Sequence, residues 1–166
     1  MRKGLLSALG ILLAILMTGC AEMGKREKLV GKDISSDQIT EFVYTYENIN
    51  YDASFLRYRF TAAAGTYRFS YEKRERPGEY GPATEQDVTA KGERALSPED
   101  WSQFISLLSG GVVTKRADSA DSGGSGPWTY LYWQGDKDVY QQYAFPSLAA
   151  RTALEAHCAR LAGLTA

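Results

Sequence analysis

The chain has 166 residues, with 19 Lys+Arg against 20 Asp+Glu, 44% hydrophobic residues and 12% aromatic ones. That mix belongs to a globular protein and is too rich in aromatics for a disordered one. A formal charge of −1 excludes the basic footprint that nucleic-acid binding requires, and two cysteines are too few for a disulfide scaffold or a Cys-rich zinc site.

The first twenty residues stand apart from the rest. Arg2 and Lys3 precede an almost unbroken apolar run from Leu5 to Met17. As a helix that run spans about 20 Å, short of the roughly 30 Å hydrocarbon core of a bilayer. A basic start and a short apolar stretch are the layout of an export signal rather than of a permanent span. The run ends in Leu16-Met17-Thr18-Gly19-Cys20.

This ending resembles the lipobox of bacterial lipoproteins, in which a small residue precedes a Cys that is acylated and becomes the mature N-terminus. Gly19 and Cys20 match, Thr18 is compatible, and Met17 stands where the pattern usually carries Leu. Met17 also argues against cleavage by an ordinary signal peptidase, which wants a small residue there. The resemblance implies a signal peptide over 1–19, lipidation of Cys20, palmitate-type acylation included, and an extracytoplasmic place on the membrane of the cell envelope. Two or more acyl chains anchor a protein stably, whereas one does so only marginally. Loss of Arg2 and Lys3 with the signal leaves 17 basic against 20 acidic residues, a mature charge of −3. With Cys20 acylated, Cys158 is the only thiol and no internal disulfide can form.

Residues 20–33 comprise the lipidated Cys and a charged segment without helical or strand periodicity. This segment reads as a flexible tether with a reach of roughly 20 Å. Residues 34–166 are then one domain's worth of chain.

Within that domain, Ile39–Tyr46 alternates as a strand, with Phe42, Tyr44 and Tyr46 on one face. Phe55–Thr61 and Thr66–Glu72 flank Ala62-Ala63-Ala64-Gly65, a four-residue link that predicts a hairpin. Setting Thr61 opposite Thr66 puts Phe60 across from Tyr67, Tyr58 from Phe69 and Leu56 from Tyr71, so six apolar side chains share one face. Lys73–Glu85 reads as a polar loop and Asp87–Arg94 as a weaker strand. Ser97-Pro98-Glu99-Asp100 is a strong helix start, with Trp101, Phe104, Ile105 and Leu108 at helical spacing and Gly110-Gly111 as the stop. Val112–Thr114 is a short strand, and Ala117–Pro127 a flexible surface loop. A second hairpin is expected between Trp128–Trp133 and Lys137–Phe145, turning at Gly135-Asp136. Ser147 caps a last helix reaching about Ala162, with Leu154, Cys158 and Leu161 on its inner stripe. The expected fold is α+β: an antiparallel sheet of about five to seven strands with two helices packed on one face. The segments Ser97–Trp101 and Gly124–Trp133 give the mature part a resemblance to uncharacterised small lipoproteins of Gram-positive gut bacteria, a resemblance that implies no activity and supplies no catalytic residues.

No motif names a catalytic site, a cofactor or a metal. His157 and Cys158 are adjacent on a helix and so point about 100° apart, which does not make a nucleophile–base pair. One histidine cannot build a His-based metal cluster. The loop Asp118–Gly123 lacks the ligands of a calcium loop at Ala120 and Thr129.

Two surface features remain. The expected first-hairpin register sets Arg59 opposite Arg68, with Arg57 on the same face. Like charges directly opposite destabilise a sheet, so either Glu41 or Glu72 compensates them or the strip Arg57, Arg59, Arg68 meets an external anion, such as a lipid phosphate or an acidic wall polymer. In the second hairpin both faces carry rings. A two-residue turn puts Trp128, Tyr130, Tyr132, Val139 and Tyr143 on one face, and Thr129, Leu131, Trp133, Tyr140 and Gln142 on the other. With helices on one side only, Trp133 and Tyr140 are expected in an exposed aromatic strip. The expected function is a non-catalytic, membrane-anchored extracytoplasmic binding module for a glycan, wall component or envelope protein. The alternatives are an assembly accessory of an envelope complex and, third, an extracytoplasmic hydrolase.

Overall fold

The computed structural model describes residues 27–115, 125–134 and 141–164. Cys20 with the whole lipobox, most of the Ala117–Pro127 loop, the Gly135-Asp136 turn, Val139 and Tyr140 lie outside the described residues.

The strands are β1 (Lys28–Leu29), β2 (Ile39–Asn48), β3 (Ala53–Ala63), β4 (Thr66–Arg76), β5 (Val88–Leu96), β6 (Val112–Lys115), β7 (Gly126–Trp133) and β8 (Gln141–Ala144). The two capped segments become helices α1 (Pro98–Leu108) and α2 (Leu148–Ala162). The strands form one antiparallel sheet in the order β1-β6-β8-β7-β2-β3-β4-β5. The fold is the expected α+β arrangement, with eight strands rather than five to seven. The additional pairing comes from the segment read as tether: Lys28 and Leu29 pair with Val113 and Val112, and Val30 and Ile34 are buried. The folded unit therefore includes residues from 28 onward. Two apolar side chains in a charged stretch carry no periodicity, which is why this short edge strand escapes a pattern reading.

Strands β2 to β5 form a meander, and α1 then carries the chain from the β5 edge over to β6 near the opposite edge. The start of α1 is fixed by Ser97, whose Oγ accepts from the Asp100 amide at 3.1 Å while the Asp100 carboxylate accepts from the Ser97 amide at 3.1 Å. Two donors that a helix start would leave unsatisfied are thereby paired. Gly110 ends the segment at φ +79°, and a Cβ at Gly111 would clash with the Tyr143 ring and hydroxyl at 2.2–2.3 Å, so both positions favour glycine. Ser147 caps α2 by its hydroxyl alone, accepting from the Ala150 amide at 3.1 Å.

Both helices pack on the same face. Phe104 of α1 stacks on Phe60 with centroids 3.8 Å apart and planes 5° from parallel, Trp101 stacks on Tyr67 at 4.8 Å, and Phe104 meets Phe42 edge-on at 5.5 Å. From α2, Leu154 and Cys158 join the same cluster with Tyr44, Tyr58 and Phe69, and Glu155 accepts a hydrogen bond from the Tyr44 hydroxyl. Burial of so many rings on one side supplies most of the driving force for this arrangement.

Both hairpins differ from expectation in register. In the first, the turn is the two residues Ala64-Gly65, at φ +48° and +76°, and Ala62 and Ala63 extend the strand. A tight turn with two positive φ angles matches the strand twist better than a four-residue link. The pairing slides by two residues, so Phe60 faces Phe69 and Tyr58 faces Tyr71. A slide of two keeps every side chain on its face, and the apolar set stays together. In the second hairpin Tyr130 lies across from Gln142, where a Gly135-Asp136 turn would have set it opposite Gln141. A slip of one residue exchanges faces. Tyr143 therefore joins Thr129 and Leu131 in the interior, and Gln142 joins Tyr130 outside.

Candidate functional site on the open sheet face

Because the helices occupy one side, the other side of β7-β2-β3-β4-β5 displays a grid of side chains fixed by register. One row across the strands is Trp128–Thr45–Arg57–Glu72–Lys91. The next is Tyr130–Val43–Arg59–Ser70–Glu93, and the third is Tyr132–Glu41–Thr61–Arg68–Ala95. A flanking row is Gly126–Glu47–Phe55–Arg74–Val88. Short side chains at Val43 and Ser70 sit among long ones, and the result is a depression of about 680 Å³ walled by Glu41, Arg57, Arg59, Glu72, Lys91 and Glu93. A second hollow of about 710 Å³ adjoins it at Glu41 and Arg59 and runs to the Ala64-Gly65 turn.

The three arginines of the expected cationic strip all lie on this face, and each has a carboxylate. Arg59 Nε is 2.6 Å from Glu41, Arg57 Nη2 is 3.2 Å from Glu72, and Arg68 Nη1 is 2.6 Å from Glu93. The Arg59–Arg68 opposition does not occur: Arg59 stands opposite Ser70 and Arg68 opposite Thr61, as the two-residue slide requires. Glu41 and Glu72 were legible as partners from strand parity. Glu93 was not, because the β4–β5 register depends on a loop that sequence does not measure. Glu72 also accepts from Arg74 Nε at 2.6 Å, and the Arg57 and Arg74 guanidinium carbons lie 5.6 and 4.8 Å from the Phe55 ring centroid. That ring holds both guanidinium groups in place through cation–π contact.

The aromatic strip exists, but with other members. Trp128, Tyr130 and Tyr132 are half-buried on the open face, along β7. Successive rings on one face of a strand stand about 7 Å apart, so the row extends over roughly 13 Å. Trp133, expected to be exposed, instead packs half-buried against the core on the helix side. The physical reason is the pairing with β2, whose inward Phe42 and Tyr44 lie opposite Leu131 and Thr129 and so turn Trp133, on the same side of β7, toward the helices. Tyr140 lies outside the described residues.

His157 and Cys158 are both buried on the second helix, Cys158 within the core cluster, and neither lines this face. Burial, with Glu155 nearby, pushes the Cys158 thiol well above its ordinary range, so it stays protonated. His157 Nδ1 lies 2.9 Å from Arg160 Nη2, and burial followed by the Arg160 charge lowers its pKa. A protonated thiol and a ring turned to Arg160 do not make a nucleophile and its base. Among the described residues no helix is long and apolar enough to cross a membrane, and no family model matches the chain, nor does any curated protein or solved structure.

Proposed function

We propose that the chain is a lipid-anchored extracytoplasmic binding module of the cell envelope, held by Cys20 and non-catalytic, which engages a glycan or other wall component through its open sheet face. The observation that carries the reading is the pairing, on the face opposite the two helices, of a half-buried aromatic row (Trp128, Tyr130, Tyr132) with a trough of hydrogen-bonding and ionised side chains. Aromatic faces stack on the apolar faces of sugar rings, while flanking polar groups bind hydroxyls. The ion pairs hold these side chains in place before any ligand arrives, which reduces the ordering cost of binding. The anchor rests on the basic start, the apolar run and the Gly19-Cys20 pair.

Two measurements test the proposal. Cys20→Ser should move the protein out of the membrane fraction or leave the signal uncleaved, and an intact mass showing an unmodified Cys20 in the mature chain would defeat the anchor. A soluble and insoluble glycan panel, compared between wild type and Trp128→Ala, should show binding that the substitution abolishes. Unaltered binding would remove the open face as the contact surface.

A further inference from the structure

On that reading of the face, its charges indicate the kind of glycan. Five cations, Arg57, Arg59, Arg68, Arg74 and Lys91, share the grid with four carboxylates, Glu41, Glu47, Glu72 and Glu93. Arg59 and Arg68 are each matched by a carboxylate of their own. The remainder is unevenly distributed. Glu72 is shared by Arg57 and Arg74, and it stands directly across from Lys91, which is exposed and makes no ion pair among the described residues. Arg74 also lies in the field of Asp87, so among the described residues Lys91 is the cation at the β3–β5 end of the trough without a carboxylate of its own. Glu47, the remaining acid, lies on β2, on the other side of Phe55 from Arg74.

We infer that the face binds an acidic glycan, with a sugar stacked at Trp128 and an anionic substituent, carboxylate or phosphate, held by the exposed ammonium of Lys91 at the far end of the same row. Trp128 and Lys91 end the same row, four strand spacings apart, which is about 19 Å. A single sugar cannot bridge that distance, so the ligand is an extended polymer lying across the strands. Thr45, between Trp128 and Arg57 in the row, offers a short hydroxyl over which such a chain can pass. The two guanidinium groups beside Lys91 are in position without a ligand, because the Phe55 ring fixes both and Glu72 draws them to the trough wall. Lys91 supplies a point charge, which suits either substituent.

The test is equilibrium binding of the full chain in a mild nonionic detergent to two acidic polymers, polygalacturonate and phosphomannan. Their neutral counterparts, methyl-esterified polygalacturonate and unphosphorylated mannan, are measured in parallel. At least one acidic polymer should bind at least tenfold more tightly than its neutral counterpart, with the advantage falling as salt rises; which one binds identifies the substituent. Lys91→Gln should weaken that binding about tenfold and Lys91→Arg should restore most of it. Lys91 is exposed, so neither change threatens folding. Trp128→Ala should weaken acidic and neutral forms alike. Equal binding of acidic and neutral forms would overturn the charge assignment and leave the glycan reading standing. Binding that Lys91→Gln does not alter would overturn it as well. Binding insensitive to Trp128→Ala and matched by vesicles of anionic phospholipid would overturn both readings, and failure of both acidic polymers to bind would overturn this one.

Discussion

Replacing Phe104 by alanine asks most directly whether α1 is fastened to one face of the sheet, which is what leaves the other face available. The side chain is fully buried, stacked on Phe60 at 3.8 Å, edge-on to Phe42 at 5.5 Å and tilted against Trp101 at 5.1 Å. Truncating a buried Phe costs about 3–5 kcal/mol, through lost transfer energy and the cavity left behind. The upper part of that range is expected here, because two of the three rings are anchored on paired central strands that cannot close over the gap. Domains of this size have a total stability of roughly 5–15 kcal/mol. With a urea dependence of about 1–3 kcal/mol per molar, the unfolding midpoint should fall by about 2 M. Phe104→Leu keeps much of the volume and should lose less than half as much. The assay is equilibrium urea unfolding followed by tryptophan fluorescence and far-UV circular dichroism. A loss below about 1 kcal/mol with an unchanged slope would refute the packing argument and, with it, the one-sided covering of the sheet.

Three further outcomes follow from the same geometry. Cys158 should react with a thiol reagent far more slowly in the native protein than in urea, with Cys20 replaced by Ser so that one thiol is read, and Cys158→Ala should cost roughly 1 kcal/mol. His157, the only histidine, has its folded pKa lowered by burial and Arg160, so the unfolded chain takes the proton first. Stability should be flat above about pH 6.5 and should fall as pH drops below it, a slope that His157→Gln removes in midpoint measurements between pH 5 and 8. Glu41→Gln should destabilise the fold by about 1 kcal/mol at low salt and by less in high salt, because the Arg59 side chain is 46% exposed against 11% for Glu41. A salt-independent loss would show that the carboxylate acts through something other than its charge.

Local signals carried much of this fold. The capping box at Ser97 and the spacing of Trp101, Phe104 and Leu108 define α1 without any knowledge of its partners, and the helix starts where the cap places it. Parity alone put Phe42, Tyr44, Tyr58, Phe60 and Phe69 on one face, and all five are core. Parity survives a register slide of two, which is why the first hairpin kept its faces although its turn is shorter than expected. It also placed Glu41 and Glu72 beside the arginines. The Arg59–Arg68 opposition fails for the same reason: neighbours across a strand depend on the absolute register, and a turn with Ala at positive φ has no strong sequence signature. Strand β1 depends on β6, more than eighty residues away in the chain, and nothing near Lys28 announces it.

The second hairpin shows why the open face could be foreseen but its residues could not. Rings on both sides of Trp128–Trp133 leave the choice of inner face undetermined within the hairpin, and the choice is made by β2, to which β7 pairs across a long stretch of chain. Phe42 pairs with Leu131 and Tyr44 with Thr129, so the inward residues of β2 set those of β7. Packing explains the preference. Tyr44, Tyr143 and Phe145 already crowd this part of the core, with Tyr143 and Phe145 edge-on at 4.9 Å and Tyr44 and Phe145 at 6.4 Å. Thr129 is small enough to lie among them, and its hydroxyl donates to the Tyr143 carbonyl, which satisfies the buried oxygen. Trp128, Tyr130 and Tyr132 in that place would overfill the core at a cost of several kcal/mol. The rings the interior cannot hold are therefore the ones displayed beside the ion-paired trough, and the same packing that completes the core composes the surface assigned to the ligand.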